Sequence, residues 1–252
     1  MQADTHTHIG RFDEIYYDPQ EIVEIVMSCG TQEMWFSSTT SCAADIRYAD
    51  IESEIRNLFA KISYSPETVR PLLWYSPDYI AQGVSMENAC NAIPYKGIKL
   101  HPYANHWDFA DSRHNETLHG LFDHATKNGL PVLIHTRESG RDNADRFESF
   151  FAEYKSAQCV LAHCRPLDTT LSMLEKYPNV SCDTSFVPQG HIRQIVSAGY
   201  GDRVLTGTDF PITHYFRTKY PEEGQDNNIT LREQYKQDIE RIVACVKGFS
   251  ER

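Results

Sequence analysis

The chain has 252 residues, 40% hydrophobic and 23% charged, a balance that suits a globular enzyme whose core needs no disulfide staples. Its formal net charge is −11 and its lysines and arginines are scattered singly, so a nucleic-acid partner is not expected. Seven cysteines, an odd number without a CxxC pair, read as reduced thiols. With no secretory pattern ahead of His6 and no apolar run near the ~20 residues of a membrane span, a cytoplasmic protein without a membrane partner is expected.

The predicted elements alternate between short β-like runs and longer helical patterns. The first strand is Gln2–Ile9, followed by a helix near Pro19–Cys29, with proline in its first turn and Gly30 at its stop. Glu33–Ser38 is the second strand and Ala44–Ile62 its helix; Val69–Tyr75 is the third, with a helix opening at Ser76-Pro77-Asp78. Lys96–His101 precedes a helix at Asn115–Asn128 that ends at Gly129, and Pro131–Thr136 precedes one near Asn143–Tyr154. Cys159–His163 leads to a helix near Leu167–Tyr177, and Val180–Asp183 to one near Gly190–Ala198. Val204–Thr208 is the eighth strand, and the last helix covers roughly Thr230–Phe249.

The clearest strands, such as Val132-Leu133-Ile134-His135, are continuous apolar runs, as expected when both faces are covered. Eight successive strand–helix units allow a closed barrel or a doubly wound sheet. The first strand lacks a GxGxxG turn, which weakens the dinucleotide-binding alternative. The expected fold is therefore α/β, a (β/α)8 TIM barrel over residues 1–252 as a single domain, with no repeat, linker or low-complexity segment.

Five potential ligands fall at the C-terminal ends of predicted strands, the face on which a barrel builds its active site. His6 and His8 stand two apart on the first strand and so point the same way. His135 closes the fifth strand, His163 the sixth, and Asp209 follows the eighth. Taken singly, each is an ordinary residue: a hydrogen-bonded histidine, or an aspartate that caps a helix. Their joint placement in the order HxH, His, His, Asp is what suggests a site for Zn2+ or a similar divalent ion.

Five segments then carry a resemblance: Asp4-Thr5-His6-Thr7-His8, Gly97-Ile98-Lys99-Leu100-His101-Pro102, Val132-Leu133-Ile134-His135-Thr136-Arg137, Leu161-Ala162-His163-Cys164 and Gly207-Thr208-Asp209-Phe210-Pro211. Together they resemble the amidohydrolase superfamily, in particular its amidohydrolase-related branch, which includes decarboxylases, and its TatD-like branch. The resemblance implies that His6, His8 and Asp209 bind one metal, while His135 and His163 bind a second or contact the substrate. The TatD-like branch places a bridging glutamate on the fourth strand, where this chain has Lys99 and His101. Lys99 is then either a carboxylated bridge between two metals or a plain amine facing the substrate, and one or two ions per chain remain open.

On this reading a bound ion lowers the pKa of water towards ~7. Asp209 takes the proton of that water and passes it to the leaving group, with His163 or Lys99 helping to stabilise oxygen charge. Arg137 and Arg165, each two residues beyond a histidine, are expected to grip an anionic substrate group alongside Lys99 and His101. Tyr103, His106 and Trp107 after the fourth strand, and His214, Tyr215 and Phe216 in a long loop after the eighth, border the same face. There is no GxSxG elbow or Walker A loop; Cys164 faces away from its neighbour His163, and Cys42 is a loop thiol near the pocket. The leading expectation is hydrolysis of a small amide, ester, lactone or phosphoester. The alternatives are a metal-dependent decarboxylase of an unsaturated or aromatic acid with His163 as base, a TatD-like nuclease, and a non-enzymatic metal-holding barrel. Substrate identity is not legible, and a homo-oligomer stays open.

Overall fold

The computed structural model describes residues 1–43, 46–222 and 226–247. Strands and helices alternate: β1 (Ala3–Phe12), β2 (Ile15–Tyr17), α1 (Pro19–Ser28), β3 (Glu33–Ser38), α2 (Tyr48–Lys61), β4 (Val69–Trp74), α3 (Asp78–Ala81), α4 (Met86–Ala92), β5 (Gly97–Leu100) and α5 (Ser112–Asn128). There follow β6 (Pro131–His135), α6 (Glu148–Glu153), β7 (Gln158–Ala162), α7 (Leu167–Lys176), β8 (Val180–Asp183), α8 (Gln189–Ile195), β9 (Val204–Leu205), α9 (Ile212–Lys219) and α10 (Leu231–Lys247). Local chemistry sets the boundaries. The Asp18 carboxylate accepts from the Glu21 amide ahead of Pro19 to start α1, and Gly129, at φ 63°, closes α5. Thr230 and Glu233 exchange hydrogen bonds as a capping box at the start of α10.

The nine strands form one curled sheet in the order β2-β1-β3-β4-β5-β6-β7-β8-β9, parallel throughout except for the β1–β2 hairpin. Strand alternation sorts the side chains onto two faces. Met34, Phe36, Leu73, Ile98, Ile134 and Leu161 pack outward into the main core beneath the helices. Trp35, Leu72, Leu133, Val160 and Ala162 form a separate apolar layer on the inner face. One step of two residues further along, the same inner parity carries Trp74, Lys99, His135 and Asp183. Gly97, two residues before Lys99, shares this parity, and a Cβ there would stand 2.5 Å from Leu72 Cδ2, so the close packing requires glycine.

Ladder pairing ends at β9, so among the described residues the ladder itself does not close into a barrel. The chain beyond β9 nevertheless lies against β1. The Thr5 amide donates to the Thr206 carbonyl (2.8 Å), the Asp209 amide to the His6 carbonyl (2.8 Å) and the His8 amide to the Phe210 carbonyl (2.7 Å). Buried Asp4 holds the same seam, accepting from the Thr208 amide, the Thr208 hydroxyl and the Tyr235 hydroxyl. Burial, against these hydrogen bonds, raises its pKa to about 7. A Cβ on Gly207 would stand 2.9 Å from His6 Cβ, so the close approach of the two segments requires glycine at that position.

Several expectations need correction. The predicted eighth strand, Val204–Thr208, pairs only over Val204–Leu205, because Thr206–Phe210 bond to β1 singly and through side chains. The supposed long loop carrying His214, Tyr215 and Phe216 is helix α9. The helix expected after β4 is two short ones, α3 and α4, and that expected near Asn143–Tyr154 is a 3-10 turn, Ala144–Phe147, leading into α6. The predicted Gly190–Ala198 helix stops regular α geometry at Ile195, and the chain widens through Val196–Tyr200, where Gly199 takes φ 93°. A hairpin strand, β2, adds to the expected set; Asp13, at φ 54°, turns the chain back onto β1. The expected ends of two helices at Ala44 and Phe249 fall outside the described residues. Among the described residues no helix is long and apolar enough to cross a membrane.

Candidate active site

The C-terminal strand ends converge on a cavity of about 670 Å³ lined by His8, Lys99, His101, His135, Arg137, His163, Arg165 and Asp209, with Trp74, Tyr103, Phe186 and Phe216 among its walls. His6 lies beneath this floor. Its Nε2 is 3.3 Å from Asp209 Oδ1, and His8 Nε2 is 2.8 Å from the same oxygen. The ligand atoms of His6, His8 and Asp209 lie within 4.8 Å of one another. Three site residues sit on unusual backbone: His163 (φ 70°), Asp209 (φ 63°) and Phe186 (φ 51°) adopt left-handed conformations. Such conformations cost free energy in non-glycine residues and turn the side chains back across the strand ends.

Three of the imidazoles, those of His6, His8 and His163, are oriented by partners behind them. His6 Nδ1 is 2.7 Å from Asp183 Oδ2, so it carries the proton and leaves Nε2 as the acceptor. His163 Nδ1 donates to the Ser185 carbonyl at 3.1 Å, leaving its Nε2 to accept from His135 Nδ1 at 3.1 Å. His8 Nδ1 stands 3.1 Å from the Ser37 hydroxyl and 3.3 Å from the Ser37 carbonyl. Asp183 is the hub: its Oδ1 accepts from the amides of His163 and Ser185 and from the Ser185 hydroxyl.

Burial lowers the pKa of His6, His101, His135 and His163, with Lys99 adding to it, so all four are neutral imidazoles near pH 7. Burial also pushes the Asp209 carboxyl up, but the hydrogen bond from His8 Nε2 opposes this, and the group lies below the usual carboxylate range. Imidazole nitrogens around an ionised carboxylate are the donor set a divalent ion takes, and His6, His8 and Asp209 fit one. One contact competes with that fit: Lys99 Nζ is 2.9 Å from His6 Nε2. Burial lowers this amine to about 8, against the pull of Asp209 and Asp183.

His135 and His163 touch each other and the cavity, and His163 forms a second group with His6 and Asp183 whose ligand atoms lie within 4.8 Å of one another. His135 stacks on His101 (centroids 3.7 Å apart, 13° between planes), and His101 stacks in turn on Trp74. His101, His135 and Asp142 form a separate cluster, in which burial raises Asp142 to about 6. The Arg137 guanidinium lies over the Tyr103 ring at 4.9 Å, and Arg165 Nη2 donates to the Phe186 carbonyl at 3.2 Å; both arginines line the cavity. Cys42 is exposed at the cavity wall, whereas Cys164 turns away to the Asp183 carbonyl. Trp107 is buried and His214 bonds to the Ile229 carbonyl, so neither lines the cavity.

Sequence reasoning missed Asp183, Ser185, Trp74 and Asp142. Asp183 carried a usable signal, as the last residue of a predicted strand in the same kind of position as His135. Trp74 likewise sits at a strand end, but Ser185 and Asp142 lie in turns with no spacing to mark them.

No curated protein matches the chain by sequence. Among solved structures, 5-carboxyvanillate decarboxylase from Sphingomonas paucimobilis superposes with TM-score 0.59 at 13% identity, covering 98% of this chain and 95% of that one. A probable 2-pyrone-4,6-dicarboxylic acid hydrolase from Acinetobacter baumannii gives TM-score 0.55 at 12% identity, covering 97% and 95%. A TatD-like protein from Archaeoglobus fulgidus gives 0.52 at 13% identity, covering 95% and 91%. At such identities these likenesses concern the fold. The amidohydrolase family model matches residues 43–242, which span His135, His163 and Asp209 and stop short of His6 and His8. With that match over most of its length and the β1 histidines brought to the same floor, the chain belongs to the amidohydrolase family.

Proposed function

We propose that this protein is a metal-dependent hydrolase that directs water onto a small ester, lactone, amide or phosphoester bearing an anionic group. The observation that carries the reading is the meeting of His6 Nε2, His8 Nε2 and an ionised Asp209 on the floor of one cavity. We read the seam between β1 and Thr206–Phe210 as the closure of a single (β/α)8 barrel, with this cavity at its mouth. His6, His8 and Asp209 would hold the ion, with His135 and His163 beside it. When bound, a divalent ion such as zinc supplies Lewis acidity to a substrate oxygen and makes a water acidic enough to attack near neutral pH.

The residues of the chain do the rest. Asp209 accepts the proton of the attacking water and delivers it to the leaving group, a task for which an ionised carboxylate is suited. Neutral His163, fixed by Ser185, faces the reacting carbonyl from the β7 end. Arg137 and Arg165 bind a carboxylate by paired hydrogen bonds, and the stacked rings of Trp74 and His101 provide a flat wall for a planar substrate. With a net charge of −11 and a cavity of about 670 Å³, the site suits a small molecule better than a nucleic acid.

The two arginines beside that flat aromatic wall also favour a second reading, decarboxylation of an unsaturated or aromatic acid, with His163 as the base. Assays on carboxylated lactones and on aromatic acids separate the readings, because only the second releases carbon dioxide. In either reaction Asp209→Asn abolishes turnover while circular dichroism and the melting temperature stay close to wild type. A variant with near-normal turnover would remove Asp209 from the chemistry.

A further inference from the structure

Lys99 is among the most deeply buried polar residues of the protein, 1% exposed, on the inner face of β5. A buried ammonium is costly unless it is paired. Among the described residues, however, no carboxylate is in ion-pair contact with it. Its hydrogen-bond partner is His6 Nε2 at 2.9 Å, and the Trp74 ring lies 5.8 Å away. His6 Nδ1 is committed to Asp183, so Nε2 offers a single lone pair, and that lone pair is the one a metal would take. The amine and the ion therefore compete for the same atom, and a positive charge there also repels a second cation.

We propose that Lys99 is a built-in stand-in for the metal: its amine holds His6 Nε2 in the metal-free protein and must withdraw for the ion to bind, so that Lys99 sets the metal affinity of the site. This rests on the reading of His6, His8 and Asp209 as the ligands. The device keeps the ligand cage assembled without an ion and makes loading depend on how much free metal is available. It is distinct from a lysine that ligates, whether as amine or as carbamate, since a ligand would strengthen binding.

The test is titration of the metal-free protein with Zn2+ against a chromophoric chelator, comparing wild type with Lys99→Met, which keeps length and removes charge. The proposal expects Lys99→Met to bind tighter by about tenfold or more, equivalent to about 1.4 kcal/mol, with unchanged stoichiometry. Equal affinity overturns the proposal and leaves the ligand reading intact; weaker binding overturns it in favour of a ligating lysine. Absence of binding in both proteins overturns the ligand reading and the proposal with it. A second measurement needs only wild type: carbamoylation of Lys99 by cyanate, mapped by mass spectrometry with and without Zn2+. Displacement by the ion predicts faster labelling when Zn2+ is present, whereas unchanged or slower labelling would refute it.

Discussion

Replacing Asp183 with asparagine isolates what the carboxylate does to His6. Asp183 Oδ2 lies 2.7 Å from His6 Nδ1, while Oδ1 accepts from the His163 and Ser185 amides at 3.0 Å each and from the Ser185 hydroxyl at 2.6 Å. Three donors converge on Oδ1, so an asparagine must place its carbonyl there and its NH2 against His6 Nδ1. Two N–H groups cannot share that contact. His6 must then move its proton to Nε2 and surrender the lone pair needed for ligation. If the ring keeps its present tautomer, the opposed buried donors cost about 1–3 kcal/mol. Losing a carboxylate behind a metal-binding histidine typically weakens affinity by about 10–100-fold, and that is the loss expected for Zn2+ here. Chelator competition measures the affinity, and heteronuclear NMR of the histidine rings shows which His6 nitrogen is protonated. Wild-type affinity with Nδ1 still protonated would refute the reasoning.

Asp238 offers a pH test outside the lining of the cavity. Burial, against hydrogen bonds from Thr213 and Gln234, raises its carboxyl from 3.8 to about 6. Because the folded state binds this proton more tightly than the unfolded chain, the contribution is fully present below the unfolded pKa. It is lost as pH rises through the folded value, and amounts to about 3 kcal/mol. Asp238→Asn is therefore expected to gain stability over wild type between about pH 4 and pH 7, read by denaturant unfolding at the two ends; a difference independent of pH contradicts this. At the cavity wall, Arg137→Lys and Arg165→Lys should each raise KM for a carboxylated substrate by about tenfold, since an ammonium cannot make the paired contact. A neutral analogue of the same substrate should show little change.

How much of this was legible in the sequence follows from where the information lies. β6 and β7 could be read because they are short apolar runs with a histidine at or just after the end, and α1 and α5 because they carry their own caps. The eighth strand is visible at Val204–Leu205, but its sequence pattern runs on past the ladder. Its far end meets β1, some 200 residues away, through isolated backbone hydrogen bonds and the Thr206, Thr208 and Asp4 side chains, which leave no periodic trace. Helix α9 was hidden for a related reason: it starts directly after Phe210-Pro211, where Pro211 makes no side-chain cap hydrogen bond, and its buried residues Ile212, Thr213 and Tyr215 show no clean apolar stripe.

The site divides along the same line. His135, His163 and Asp209 stand at or just beyond apolar strand runs, and His6 and His8 alternate along β1, so these positions are visible in the chain. Residues whose role is to hold another side chain need only be close in space. Ser185 lies in a turn after β8, yet its hydroxyl reaches His6 Nδ1, His163 Nδ1 and Asp183 Oδ1, each within about 3 Å. The left-handed backbone at His163, Phe186 and Asp209 belongs to this hidden part as well, for nothing in those residue types announces it. Such strain persists only where surrounding contacts overdetermine it, and here they do. The Asp183 carboxylate fixes the His163 amide, and the β1 carbonyl of His6 fixes that of Asp209. The order of these residues thus follows the strands, while their aim is set by a buried polar frame built from Asp4, Asp183, Ser185 and Thr208, so substitutions in that frame should act on the proposed metal site without touching it.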